Sequence, residues 1–158
     1  MGIQTRTQEN RGEQTAAQQI TQVLAQWKEA METKNAARAV SFYADDAAMF
    51  TLAPPLGTNG MQQQALQAWF DTWKGGLRYE MRDAQLVAGD DIAYCHTFTH
   101  MVGTKTSGEK SDLWFRATAT LRKIDGQWKI THEHTSVPFH MDGSLKAALE
   151  LQPPAGTH

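Results

Sequence analysis

Cysteine is almost absent. Cys95 is the only one in 158 residues, which excludes an internal disulfide and any cysteine-based zinc cluster. An excess of one charge is lacking as well: 15 Lys and Arg stand against 17 Asp and Glu, for a formal net charge of −2. The chain has no basic field to hold a phosphate backbone, and no nucleic-acid partner is expected. No apolar run approaches the ~20 residues that span a bilayer. The opening segment MGIQTRTQENRGEQT has no apolar core of a secretory signal, and Arg6 stands where a myristoylation motif needs Ser or Thr. No membrane partner and a cytoplasmic location are therefore expected. Neither a Gly-rich phosphate loop nor a Gly-x-Ser-x-Gly elbow occurs, and no repeat or low-complexity segment is found.

What remains is an ordinary globular composition. Hydrophobic residues make up 41% and charged residues 20%, which excludes a disordered or fibrous chain. At 17.6 kDa the length suits one domain with a real core. Residues 1–14 are polar and read as a mobile arm, leaving a single domain over 15–154.

Thr15 and Gln18 have capping-box spacing, and Ile20, Val23, Leu24, Trp27 and Met31 follow on one helical stripe, predicting a helix over 15–33. Asn35 caps a short second helix ending near Tyr43. Residues 47–52 suit a strand and 54–60 a loop. Asn59 can cap a third helix, with Leu66, Trp69, Phe70 and Trp73 on one side and Gly75-Gly76 at its end. Four strands then follow, at 77–88, 91–103, 111–124 and 127–137, with a small closing helix over 142–149. Asp125-Gly126 is the strongest hairpin signal, because Asp-Gly fits a type I′ turn. Helices first and a meander afterwards predict an α+β fold, with helices on one face of an antiparallel sheet.

A two-residue turn at Asp125-Gly126 places His132 opposite Ala119, His134 opposite Ala117 and Ser136 opposite Phe115. If Ser107-Gly108 is likewise a two-residue turn, Tyr94, His96, Phe98 and His100 join that face, and His96, Ala119 and His132 form a row. The two imidazoles then start roughly 10 Å apart, across empty volume left by alanine and roofed by Trp27 and Trp69. An apolar cavity with a few convergent polar groups is the usual form of a small-ligand site. The histidines equally suit a structural role in a partly polar core. His132-x-His134 has no carboxylate clearly on its face, so no metal and no cofactor are expected. The opposite face carries Trp114, Arg116, Thr118, Glu133 and Thr135, together with Cys95, Thr97, Thr99, Met101 and Val137. It is too apolar for simple solvent surface and predicts a homodimer through the outer sheet face.

The segment Phe-Tyr-Ala-Asp-Asp-Ala at 42–47, the Pro-Pro loop, the Trp-Phe helix and the ending at 113–139, from Leu-Trp-Phe-Arg to Val-Pro-Phe, resemble the SnoaL-like, ketosteroid-isomerase-like branch of the nuclear transport factor 2 superfamily. The resemblance covers about residues 15–154. It implies a cone-shaped fold with N-terminal helices on a curved sheet, a pocket between them, and commonly a sheet-to-sheet dimer. Counting from the Ala-Asp-Asp-Ala segment, the isomerase's oxyanion-binding Tyr falls on Trp27, its general-base Asp on Thr51, and its second Asp at or near Ala119. None of the three functional groups is retained, so steroid isomerisation by that mechanism is not expected.

Two readings stand. The first is a protein that binds a small apolar carbonyl compound of polyketide- or steroid-like size, with acid/base isomerase or cyclase chemistry. His132 then carries the proton, His96 orients it or binds the carbonyl oxygen, and Trp27 donates to that oxygen. Thr51, Trp69, Tyr94, Phe98, Phe115 and His134 complete the ligand site. The alternative is a non-catalytic ligand-binding or dimeric association module.

Overall fold

The computed structural model describes residues 14–155 and, separately, the short segment 4–6. Helix α1 spans Ala16–Glu32 and opens with the capping box: Thr15 Oγ1 accepts from Gln18 N at 3.2 Å, and Thr15 N donates to Gln18 Oε1 at 2.9 Å. Its buried positions include Ile20, Trp27 and Met31, the stripe read from the sequence. Asn35 caps α2 (Ala36–Val40) by accepting from Arg38 N at 3.1 Å. α2 stops before Tyr43 because Tyr43 already pairs with Ile130, opening strand β2 (Tyr43–Phe50) earlier than expected. The two-residue β3 (Thr58–Asn59) pairs back onto β2. Asn59 is thus engaged in the sheet, and α3 (Gln63–Phe70) begins after Gln62, which makes no side-chain cap bond.

The remaining strands are β4 (Trp73–Ala88), β5 (Ile92–Lys105), β6 (Lys110–Ile124) and β7 (Gln127–Ser136). Gly75-Gly76 does not terminate a helix. It lies within β4, where the pairing with β5 slips between Lys74 and Arg78. No helix forms at 142–149. There Asp142 accepts from Ser144 N at 2.9 Å and from its hydroxyl at 2.6 Å, Leu145 takes φ 54°, and Phe139 bridges to Ala147. Local side-chain bonds of that kind compete with helical pairing. The polar arm at 1–14 falls mainly outside the described residues; of it, Gln4–Arg6 is described as strand β1, beside β4.

The strands form one seven-stranded sheet in the order β1-β4-β5-β6-β7-β2-β3. The sheet is mixed rather than wholly antiparallel, because β2 lies parallel to β7 and β1 parallel to β4. Strand β2 returns from the helical half of the chain to join the last strand, a non-local pairing that no turn signal announces. α1 and α3 pack on one face, and between them and the sheet sits the core, centred on Ile20, Met49, Phe70, Leu86, Leu121 and Ile130. This is an α+β cone with helices at its open side. Among the described residues no helix is long and apolar enough to cross a membrane.

Candidate functional site

Strand β6 is the reference for the site, since both its neighbours pair with it antiparallel. The Asp125-Gly126 turn forms as expected, with Ile124 opposite Gln127 and φ of 51° and 80° at the two turn residues. The register then slips once. Leu121 pairs with Ile130, but Thr120 pairs with His132, leaving Thr131 as the extra residue of a β-bulge. Thr131 Oγ1 is held 2.9 Å from Thr120 Oγ1. Because side chains alternate with period 2, a one-residue slip exchanges the two faces. Beyond the bulge Glu133 lies opposite Ala119 and Thr135 opposite Ala117.

The β5–β6 hairpin departs by one residue too. Its loop has three residues, Thr106–Gly108, closed by Lys105 N donating to Glu109 O at 2.7 Å and Gly108 N to Lys105 O at 2.8 Å. Gly108 has φ 91°, the left-handed conformation that ends such a loop and that glycine adopts without steric penalty. Cys95 therefore faces Ala119, and His96 faces Thr118. The row expected as His96–Ala119–His132 is in fact Cys95–Ala119–Glu133.

That row lies in the floor of a cavity of about 470 Å³ between the helices and the sheet. Of the residues singled out from the sequence, Trp27, Thr51, Trp69 and Phe115 line it. The other five do not. His132 Nδ1 donates to the Ala48 carbonyl at 2.8 Å, and its ring meets the edge of Phe50 at 5.0 Å. His134 packs on Phe50 from the same outer face, at 5.4 Å. Tyr94, His96 and Phe98 alternate with the cavity-lining Cys95 and Thr99, so they lie on the outer face, and Tyr94 is exposed. The exchanged parity of β5 and β7 accounts for all five.

Apart from Trp27 and Thr51, the polar groups in the cavity are ones the sequence did not single out as site residues. Tyr43 Oη donates to Glu133 Oε2 at 2.5 Å and accepts from Trp27 Nε1 at 2.9 Å. The Trp27 N–H is thereby used within the protein and is not available to a ligand, contrary to the role expected for it. Burial raises the Glu133 carboxyl above the usual carboxylate range, partly offset by the Tyr43 hydrogen bond and by the nearby His132. Burial, and next the charge of Glu133, raise Tyr43 well above the ordinary tyrosine range. Tyr79 also lines the cavity, 5% exposed, packed edge-on against Trp27 at 5.9 Å. Its hydroxyl is raised in the same way by burial, then by Glu133 and Glu32. The Tyr79 side chain makes no hydrogen bond among the described residues, so its O–H is one of the donors left free in the cavity. Burial pushes the Cys95 thiol up to about 11.

The available signals for Glu133 and Tyr43 were a lone carboxylate inside an otherwise uncharged stretch of strand, Ile130 to Val137, and a Tyr in the Phe-Tyr-Ala-Asp segment. Without the bulge the register assigns Glu133 to the outer face, and the parallel pairing that brings Tyr43 to it has no local signal. Chemically, a half-buried carboxyl of raised pKa in a mostly apolar cavity is suited to moving a proton. Among the described residues no three His, Cys, Asp or Glu gather in a way that could hold a metal ion.

Comparison with known proteins agrees with this architecture. A structure of an NTF2-like protein of unknown function from Pseudomonas putida KT2440 aligns with TM-score 0.72 and 28% identity, covering 85% of this chain and 94% of that one. An NTF2-like superfamily protein from Salmonella enterica serovar Typhimurium aligns with TM-score 0.67 and 14% identity over 80% and 94% of the two chains. The association domain of CaMKII from C. elegans aligns with TM-score 0.60 and 16% identity over 76% and 94%. No curated protein matches the chain. The SnoaL-like domain matches residues 20–140, most of the folded chain. With that match, and with the helix-capped cone of the NTF2-like relatives, the chain belongs to the SnoaL-like domain family.

Proposed function

We propose that the protein binds a small apolar carbonyl compound in the cavity and moves a proton on it, as an isomerase does. The observation that carries this reading is Glu133, a half-buried carboxyl with a raised pKa in a mostly apolar cavity, hydrogen-bonded by Tyr43. The proton carrier is Glu133 rather than His132. Its ionised form removes a proton from the carbon next to the carbonyl, and the electron pair moves onto the carbonyl oxygen. The Tyr79 hydroxyl donates a hydrogen bond to that oxygen as charge develops there. Glu133 then returns the proton at the far carbon of the conjugated system, which shifts the double bond.

The test is proton exchange on a panel of apolar β,γ-unsaturated cyclic ketones in D2O, read by mass spectrometry. Wild type should catalyse deuterium uptake, and Glu133→Gln should slow it by about 10²–10⁴-fold, the usual worth of a general base. His132→Gln should leave it within a few fold. Equal exchange by wild type and Glu133→Gln would sink the assignment.

A second reading, a dimeric association module, is favoured by the outer sheet face. Tyr94 at 47% and Phe50 at 43% exposure lie there with the half-buried Phe98 and Trp114. In this reading a second copy covers that face. Light scattering of wild type and Tyr94→Glu decides: a dimer that the substitution splits supports it, and a wild-type monomer removes it.

A further inference from the structure

Two charged side chains line the cavity, and they belong to different ends of it. Glu133 sits at the level of Cys95 and Ala119, whereas Lys105 lies at the β5–β6 hairpin, at the far end of β5. The stretch of strand from Cys95 to Lys105 measures at most about 33 Å, less after curvature.

The lysine is held without a carboxylate. Its Nζ lies 3.7 Å from the centre of the Trp73 ring and 3.3 Å from Thr72 Oγ1, and no acid stands within ion-pair distance among the described residues. Trp73 is 3% exposed and meets Trp69 edge-on at 5.6 Å. Gly103 gives it room, since a Cβ there would meet Leu77 Cδ2 at 2.6 Å and Trp73 Cε3 at 2.8 Å. Thr72 is tied to the hairpin by Thr106 N donating to its carbonyl at 2.9 Å. Lys34 Nζ adds a second cation at this end, 2.9 Å from the Trp73 carbonyl. Ser111, opposite Gly103, also lines the cavity, and its hydroxyl makes no hydrogen bond among the described residues. A half-buried ammonium, positioned by a ring and a hydroxyl and with no anion of its own, is arranged to receive one.

We propose that the ligand is an elongated amphipathic monoanion, with its apolar body along the cavity toward Glu133 and its anionic group on Lys105 and Ser111. This rests on the reading that the cavity holds an apolar ligand, and it adds which end of that ligand carries charge. It also sets orientation: an anion is repelled by Glu133 and attracted by Lys105, so the carbonyl end is delivered to the carboxylate.

The test uses two fluorescent probes sharing one aromatic framework, 1-anilinonaphthalene-8-sulfonate, which is anionic, and N-phenyl-1-naphthylamine, which is neutral. Wild type should bind the sulfonate at least about tenfold more tightly. Lys105→Met should remove that preference while leaving the neutral probe within twofold, which also reports that the variant is folded. Lys105→Arg should keep it. If the neutral probe binds but the sulfonate gains nothing, or Lys105→Met weakens both equally, the anionic assignment is overturned and the apolar cavity stands. If the neutral probe does not bind, the cavity reading falls and this inference falls with it.

Discussion

Tyr43 Oη donates to Glu133 Oε2 across 2.5 Å, joining the first residue of β2 to a residue ninety positions later in β7. The same oxygen accepts from Trp27 Nε1, so one hydroxyl satisfies a buried donor on α1 and a half-buried acceptor on the sheet. Tyr43→Phe leaves both without a partner. An orphaned buried group is worth about 1–3 kcal/mol and a half-buried one less, so unfolding in urea at neutral pH should show a loss of about 1–3 kcal/mol. The Glu133 carboxyl should also titrate still higher in this variant, because the lost bond is one that held it down. A loss under about 0.5 kcal/mol would mean that this hydroxyl links nothing of consequence.

Glu133 makes stability depend on pH with a definite sign. Its folded pKa is raised, so the folded state holds the proton more tightly than the unfolded chain. The stabilisation is therefore fully present below the unfolded value of about 4.3 and is lost as pH rises through the folded value. Glu133→Gln keeps an oxygen to accept from Tyr43 and carries no charge at any pH. Its melting temperature relative to wild type should climb between pH 4 and pH 8. A constant or falling difference would contradict the burial of this carboxyl.

Cys95 should be a slow thiol. With burial placing it at about 11, a thousandth of it is thiolate at pH 8, compared with roughly a quarter for a free cysteine. Reaction with a thiol reagent such as DTNB at pH 8 should be at least about 10²-fold slower than with free cysteine, and slower again when the cavity is filled. Rapid labelling would show that the cavity floor is open to solvent.

Gly103→Ala tests the packing under Lys105. The added methyl meets Leu77 and the Trp73 ring at under 3.0 Å, so Trp73 must move. Overpacking of this kind is worth about 1–3 kcal/mol of stability, measurable by urea unfolding. The displaced indole should shift the tryptophan emission. An unchanged midpoint and spectrum would refute the close approach.

Local structure was largely legible in the sequence. The capping box at Thr15 and Gln18, the Asn35 cap, the stripe through Trp27 and the Asp125-Gly126 turn are all settled by residues within a few positions of one another. Strand β6 was read with the correct face toward the helices, Phe115, Ala117 and Ala119 inward. What failed was parity. A three-residue hairpin loop in place of two, and one extra residue at Thr131, each turned a whole strand over, and the histidines exchanged places with Cys95 and Glu133.

The sequence by itself therefore determined the three helices and the five longest strands, though not the short strands β1 and β3 or the absence of a helix at 142–149, and it showed that one apolar face awaits a covering layer. Only the tertiary structure decided which side chains share the cavity. Which way a strand faces depends on the count of residues through every turn and bulge before it, and a bulge is stabilised by pairing with distant strands rather than by its own residues. At Thr131 that pairing is with β6 on one side, while β2, lying parallel to β7 on the other side, brings Tyr43 to Glu133.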